Sequence, residues 1–385
     1  MTRLNVWVRC CLSFIFAAAL LSAAGNTVEA HAYSAGYTTL DLTQSTTKMT
    51  YSLDQLSVME LTGGDTDKDG SLSAEEFAKV RDKLLSLLQE NLTLQSGGQD
   101  IAWSRVESLG LEHQDGGLKM VLHADYPALP SSAAIALADR LYMNANGSNY
   151  VNLLTVHEGG TTLTEALSGP HRTWSLESAV DHGAGDESDG ANGSNGSSSS
   201  GKVLQGWVSF FKLGMSHILT GYDHLLFLFS LLIAKQRFSQ YAAMITAFTV
   251  AHSITLTLTV LGIINMPSSI VEPAIALSIC FVAVDNMVRK EVSRRWVLTF
   301  VFGLIHGMGF ADILKEMNLP RSQLAVSLIS FNLGIEAVQV ALVAALLPLL
   351  VLLHRWRFSR GAVLACSGLA LLLGGVWLMQ RLFFV

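Results

Sequence analysis

From residue 204 to residue 385 the chain is a succession of long apolar runs, and these limit the fold more than any motif does. Six of them, 212–234, 241–263, 268–288, 296–315, 322–353 and 360–384, are long enough to cross a hydrocarbon core of about 30 Å. The expectation is a bundle of six transmembrane α-helices, the fifth long enough to tilt or to extend past the bilayer.

What precedes the bundle is of another kind. Arg3 and Arg9, then "LSFIFAAALLSAA", then "VEA" ending at Ala30, have the order of a secretory signal over residues 1–30. "AHA" ending at Ala32 is a competing cleavage site, and an uncleaved anchor is the alternative. Cleavage after Ala30 would give His31 a free amine beside its imidazole, a pair that chelates copper; an ordinary terminal residue is the plainer reading. Cys10 and Cys11 fall in the signal, Cys280 and Cys366 in apolar runs, so no disulfide framework is implied.

Basic residues orient the bundle. With an exported N-terminal domain, the inner loops hold Lys235, Arg237, Arg289, Lys290, Arg294, Arg295, Arg355, Arg357 and Arg360, whereas the outer side holds Lys315, Arg321 and Arg381. That asymmetry obeys the positive-inside rule and agrees with the signal. The expected location is a cell membrane, crossed several times, with the N-terminal domain and the C-terminus extracytoplasmic. Net charge is only −6 without a basic tract, which argues against nucleic-acid binding; the expected partners are the lipid bilayer and metal ions.

Residues 31–182 are polar and mixed. "YTTLDL", "KMTYSL", "IAWSRVESL", "LKMVLHADY" and "NYVNLLTVHE" alternate like half-buried strands, and "QDGG" at 114–117 signals a hairpin turn. Residues 73–92 change to helical spacing, with Phe77, Val80, Leu84, Leu87 and Leu88 along one face. A β-rich exterior domain with a helical insert is expected. Residues 183–203, nearly all Gly, Ser, Asn and Asp, cannot bury enough surface to offset chain entropy and form a linker to the 204–385 membrane domain.

"DTDKDGSLSAEE", residues 65–76, has the EF-hand spacing. Asp65, Asp67 and Asp69 supply carboxylates, Gly70 the sharp turn, Ser71 a carbonyl and Glu76 a bidentate ligand for calcium. Four carboxylates so placed repel one another unless a cation sits among them. "LTGG" puts two glycines where an incoming helix should be ending, so the outgoing helix is expected and the incoming one is in doubt.

Ionisable side chains inside spans are costly and ordinarily face a bundle interior. Here they recur: His217, Asp223 and His224 in the first span, His252 in the second, Glu272 and Asp285 in the third, His306 in the fourth, Asn332 and Glu336 in the fifth. His252, His306 and Glu336 fall near mid-depth, His224 about one-third of the way in, and His217 at the outer surface. His217 and His224, seven apart, share a helix face, and Asp223 can orient His224 or act as a further ligand. Such donors suit a divalent transition metal such as nickel, zinc or copper. Taken singly, each histidine could equally be an interhelical hydrogen-bonding group.

The stretches "FFKLGMSHILTGYDHLLFLFSLLI", "FTVAHSITLTL", "FGLIHGMGFADIL" and "FNLGIEAVQV" resemble the HupE/UreJ family of membrane proteins, associated with hydrogenase and urease accessory functions. The resemblance implies a role in uptake of nickel or another transition metal. The H-x5-D-H spacing of His217, Asp223 and His224 is similar to the H-x4-D-H signature of nickel/cobalt permeases, lengthened by one residue. The calcium loop departs from the usual family pattern.

The leading expectation is therefore a metal-handling membrane protein, a permease or transport accessory with a calcium-binding exterior domain. His224, His252 and His306 would be transient ligands, and Asp223 and Glu336 would supply charge. An intramembrane metal-dependent hydrolase and a calcium-responsive membrane-anchored scaffold are the alternatives, although the chain holds no H-E-x-x-H pair for the former.

Overall fold

The computed structural model describes residues 34–43, 45–114, 117–129, 134–143, 150–176, 197–289, 295–315, 317, 321–355 and 358–383, omitting the side chains of 197–205, 312, 321 and 322. The signal segment, His31 and residues 183–196 of the expected 183–203 linker lie outside the described residues, whereas 197–203, expected in that linker, are helical.

The alternating stretches form strands. β1 (Ala35–Leu42) pairs antiparallel with β2 (Thr47–Asp54), and β5 (Arg105–Gln114) with β6 (Gly117–Tyr126). β8 (Val151–Glu158) turns into β9 (Thr161–Ser168) through Gly159 and Gly160, at φ 53° and 82°. Such left-handed positions suit a two-residue hairpin loop and favour glycine at both. One sheet has the order β5-β6-β2-β1-β8-β9, with β1 and β8 parallel. The second, β10-β7-β3-β4, is built from β3 (Leu92–Ser96), β4 (Gln99–Ile101), β7 (Ile135–Asp139) and β10 (Thr173–Leu176).

Two helices, α1 (Gln55–Thr62) and α2 (Ala74–Asn91), lie between β2 and β3. The incoming helix that the double glycine argued against is present. Asp54 caps it, accepting from Ser57 N at 2.7 Å, and Gly63 ends it at φ 71°. The glycine is thus a helix C-cap rather than a sign that no helix precedes it. Ser73 and Glu76 form a reciprocal capping box at the start of α2. Phe77, Leu84 and Leu88 of α2 enter one core with Leu40, Tyr51 and Leu53 of the first sheet and Leu94 and Leu137 of the second.

The bundle comprises α3 (Ser197–Thr220), α4 (Tyr222–Leu232), α5 (Phe238–Val260), α6 (Ser268–Val288), α7 (Arg295–Met308), α8 (Ala311–Lys315), α9 (Arg321–Arg355) and α10 (Ser359–Phe383). Four of these, α5, α6, α9 and α10, are long and apolar enough to cross a membrane; α4 and α7 are shorter apolar helices. Exposed Ile254, Leu277, Phe281, Val301, Leu349 and Leu352 clothe the bundle in apolar surface, as expected of a multi-pass membrane protein. The first and fourth predicted spans are each broken in two, at Gly221 and at Gly309–Phe310. Gly221 adopts a non-helical ψ of 89°. Glycine imposes the least cost on leaving the helix.

The β-rich part sits directly on the bundle. Alternate residues of a strand face opposite ways, and β8 uses both faces. Leu154 and Val156 enter the domain core, whereas Val151 and Leu153 pack with Phe210, Leu213 and Phe331 of α3 and α9. Each such side chain contributes about 1.5–3 kcal/mol when fully buried. Ser209 Oγ accepts from Ala166 N at 3.3 Å, and the Gln323 side chain donates to Thr162 O.

Candidate metal centre

The breaks at Gly221 and Gly309 surround one buried cluster of histidines. His217, His224, His252 and His306 are 4%, 7%, 0% and 0% exposed. Ring centroids are 4.6 Å apart for His217 and His224, 5.1 Å for His224 and His306, and 6.0 Å for His217 and His252. One ring nitrogen from each of His217, His224 and His252 lies within 4.8 Å of the other two. An ion held at about 2.1 Å from each would need nitrogens about 3.4 Å apart. The observed convergence is of the scale such a site requires.

His217, expected at the outer end of its span, is enclosed by Phe310 and Phe331, whose ring centroids lie 4.5 and 5.5 Å from its own. Seven residues of unbroken helix would separate His217 from His224 by about 10 Å along the axis. The break at Gly221 folds that distance up.

Small residues bring the remaining helices in. A Cβ on Gly307 would collide with the His252 backbone, and one on Gly303 would lie 2.8 Å from Phe248 O. Both positions are therefore close-approach sites of α7 on α5, a small-x3-small arrangement that sets His306 beside His252. Gly214 and Gly334 serve α3 and α9 likewise, each meeting the other helix's backbone.

Hydrogen bonds fix which nitrogen faces the cluster. Asp223 Oδ1 accepts from His224 Nδ1 at 3.0 Å, and Phe302 O accepts from His306 Nδ1 at 2.8 Å. A carboxylate or carbonyl can only accept, so Nδ1 carries the proton and Nε2 keeps its lone pair. The Nε2 atoms of His224 and His306 are buried without a hydrogen-bond partner. His252 has neither ring nitrogen in hydrogen-bond geometry, although the Asn332 amide stands close. His217 and His306 lie in the last turns of α3 and α7. The negative ends of both helices thus favour a cation there.

Not every predicted ligand joins. Asp223 orients His224 and turns its second oxygen to Arg381, 3.7 Å away. Glu336 is half-buried on α9 and outside the group whose ligand atoms converge. The carboxylate that accompanies Asp223 is Glu272, whose Oε2 lies 3.7 Å from Arg381 Nε. Beside His224 lies a small cavity lined by Ile218, Phe227, Phe248, Thr299 and Gln339. At the bundle's other end Arg295 Nη2 pairs with Asp285 Oδ2 at 2.9 Å.

The sequence model of the HupE / UreJ protein family matches residues 195–381, a stretch that holds every one of these histidines and both helix breaks. The helical half of the chain belongs to the HupE/UreJ family. No curated protein matches the chain. The β1–β10 part lies outside the HupE/UreJ match yet rests on its first helix.

The 65–76 loop lies far from the HupE/UreJ helices in sequence and joins α1 to α2. Gly70 at φ 78° donates to Asp65 Oδ2 at 3.2 Å, and Asp67 and Asp69 accept from Asp69 N and Ser71 N. Ligand oxygens of Asp65, Asp67 and Glu76 lie within 4.8 Å of one another. Asp69 and Ser71 are exposed and outside that group. Thr66 and Ser73 donate to Glu76 and hold its carboxyl down at about 2. Asp65 Oδ1 is buried without a partner, an orphan that a bound cation would satisfy.

Proposed function

We propose that the protein is an integral membrane permease, or an accessory to one, for a nickel-like divalent transition metal, and that its exterior domain binds calcium. The observation that carries this reading is the convergence of His217, His224 and His252, joined by His306, with the bare Nε2 atoms of His224 and His306 inside a buried site. Neutral imidazoles release a metal as well as bind it. The transported ion is substrate here, not a resident cofactor. HupE/UreJ membership, and the family's association with nickel or cobalt uptake, support the same reading.

The six-span topology with an exported N-terminal domain belongs to this proposal. Here α3–α4 and α7–α8 act as broken spans beside the four long helices. Half-helices that end at mid-membrane are a recurrent way to present an ion site. A hydrolase would need a carboxylate beside the metal as base. Asp223 is committed to His224 and Arg381, which favours transport.

In the exterior domain Asp65, Asp67 and Glu76 would hold calcium, with Asp69 and Ser71 drawn in on binding. Calcium would supply the charge that lets these carboxylates sit together; it performs no chemistry.

Metal analysis of purified wild type beside His224→Ala and His306→Ala tests the central claim. Stoichiometric nickel in wild type, lost in both variants, with nickel accumulation by cells expressing wild type, is the expected result. Equal and negligible metal in all three, without accumulation, would reject it.

A further inference from the structure

We propose that Arg381 is a charge latch over the entrance to the histidine cluster, and that a divalent cation must displace it from Asp223 and Glu272 to enter. This inference rests on the metal reading of the cluster.

The geometry places Arg381 one carboxylate away from a metal-binding imidazole. Asp223 Oδ1 holds His224 Nδ1 at 3.0 Å, while its Oδ2 lies 3.7 Å from Arg381 Nη2. Arg381 Nε is 3.7 Å from Glu272 Oε2, and its Nη1 donates to the Glu272 carbonyl at 3.2 Å. Side-chain exposure is 7% for His224, 12% for Arg381, 18% for Asp223 and 28% for Glu272. The trio thus stands between the histidine cluster and the surface, at the end of the bundle where α6 begins and α10 finishes. That is also the end on which the β-rich part sits.

Charge makes the arrangement a gate rather than a brace. A guanidinium cannot be deprotonated in a protein. With Arg381 in place, the trio carries a net charge of about −1; with Arg381 swung away, the two carboxylates present about −2, which one divalent ion neutralises. A monovalent ion in its place leaves the same net charge of about −1 that the arginine does, whereas a divalent ion leaves none, so the latch also discriminates by charge. Its contacts are longer than the roughly 2.7–2.9 Å of tight Arg–carboxylate pairs. Arg381 sits in the last turn of α10, next in the chain to exposed Leu382 and Phe383.

The test uses the full-length protein in lipid nanodiscs, with nickel as probe. Wild type, Arg381→Gln, Arg381→Lys and His224→Ala are compared by stopped-flow association, equilibrium titration and thermal melting. Removing the latch should raise the nickel association rate and tighten the Kd, each by about tenfold, while sodium becomes a stronger competitor. Arg381→Lys keeps the charge but cannot span both carboxylates, so its association rate should fall between those of wild type and Arg381→Gln. Where Arg381→Gln does not yield folded protein, an Arg381→Lys rate above that of wild type carries the test.

If Arg381→Gln binds nickel no faster and no tighter, and only melts earlier, Arg381 is a helix staple and the proposal fails. An Arg381→Lys rate equal to wild type would also overturn it. Nickel binding by wild type that is lost in His224→Ala shows that the metal reading survives such a failure. No binding by wild type overturns the metal reading and the latch together.

Discussion

Gly221 and His224 stand so close that a methyl group does not fit between them: a Cβ on Gly221 would lie 2.9 Å from His224 Nδ1 and 2.7 Å from His217 O. The helix break and the metal-facing imidazole are one construction. Gly221→Ala must push His224 off Asp223 or straighten the break. The expected cost is about 1–3 kcal/mol of stability, with loss of stoichiometric nickel. Thermal melting with elemental analysis checks both; an alanine variant that keeps its nickel would show that the break is incidental.

Asp223 and Glu336 separate the role of orienting a ligand from that of lying nearby. Asp223→Asn retains an acceptor for His224 but removes the charge, and loss of such a supporting group costs about 10–100-fold in metal affinity. Glu336→Gln should leave nickel affinity at the wild-type value, since that carboxylate stands outside the convergent group. Parallel titrations of the two variants decide it, and reversed effects would return Glu336 to the site.

The calcium loop should respond to its ligands individually. Calcium added to the full-length protein is expected to raise the melting temperature of the exterior domain, with half-saturation at about 10⁻⁴–10⁻³ M. Asp65→Asn and Glu76→Gln should each abolish the shift. A calcium shift that persists in both variants would place the ion elsewhere.

Acid should weaken the same region in calcium-free buffer. Hydrogen bonds from Thr66 and Ser73 depress the folded Glu76 carboxyl to about 2, below its ordinary value of about 4.3. Its contribution to stability is complete above the unfolded pKa and is lost as pH falls from about 4.5 towards 2. The melting difference between wild type and Glu76→Gln, followed across that range, should shrink as pH drops. A difference that is constant with pH would show that the carboxylate charge is not what matters there.

The parts of the molecule that could be foreseen are those governed by local rules. Alternation placed β1, β2, β6 and β8, helical spacing of apolar residues placed α2 from residue 73, and polar residues in apolar runs marked the four histidines. The features not foreseen depend on contacts between distant segments. Gly221 lies in a continuous apolar run, and nothing local distinguishes a glycine that breaks a helix from one that packs a neighbour, as Gly307 does. Arg381 counted only as a loop charge, because its pairing with Asp223 spans most of the membrane half. Glu336 was marked by its mid-span depth, and depth ignores the direction in which a helix presents its side chain. The helix before the 65–76 loop was left in doubt because Gly63, which closes α1, looks like a helix breaker in sequence, while its cap Asp54 belongs to the preceding strand.

β8 gives its even-numbered apolar residues to one core and its odd-numbered ones to another. The two halves of the protein therefore share a wall one backbone thick. Cutting the chain between 183 and 196 would sever the covalent tie without parting the pieces, which should migrate together until detergent or denaturant strips the wall. A soluble fragment made by stopping before the linker would carry Val151, Leu153 and Ala166 as bare apolar surface, and should self-associate. The linker marks where the chain can be cut, whereas the seam along which the molecule comes apart runs beneath β8.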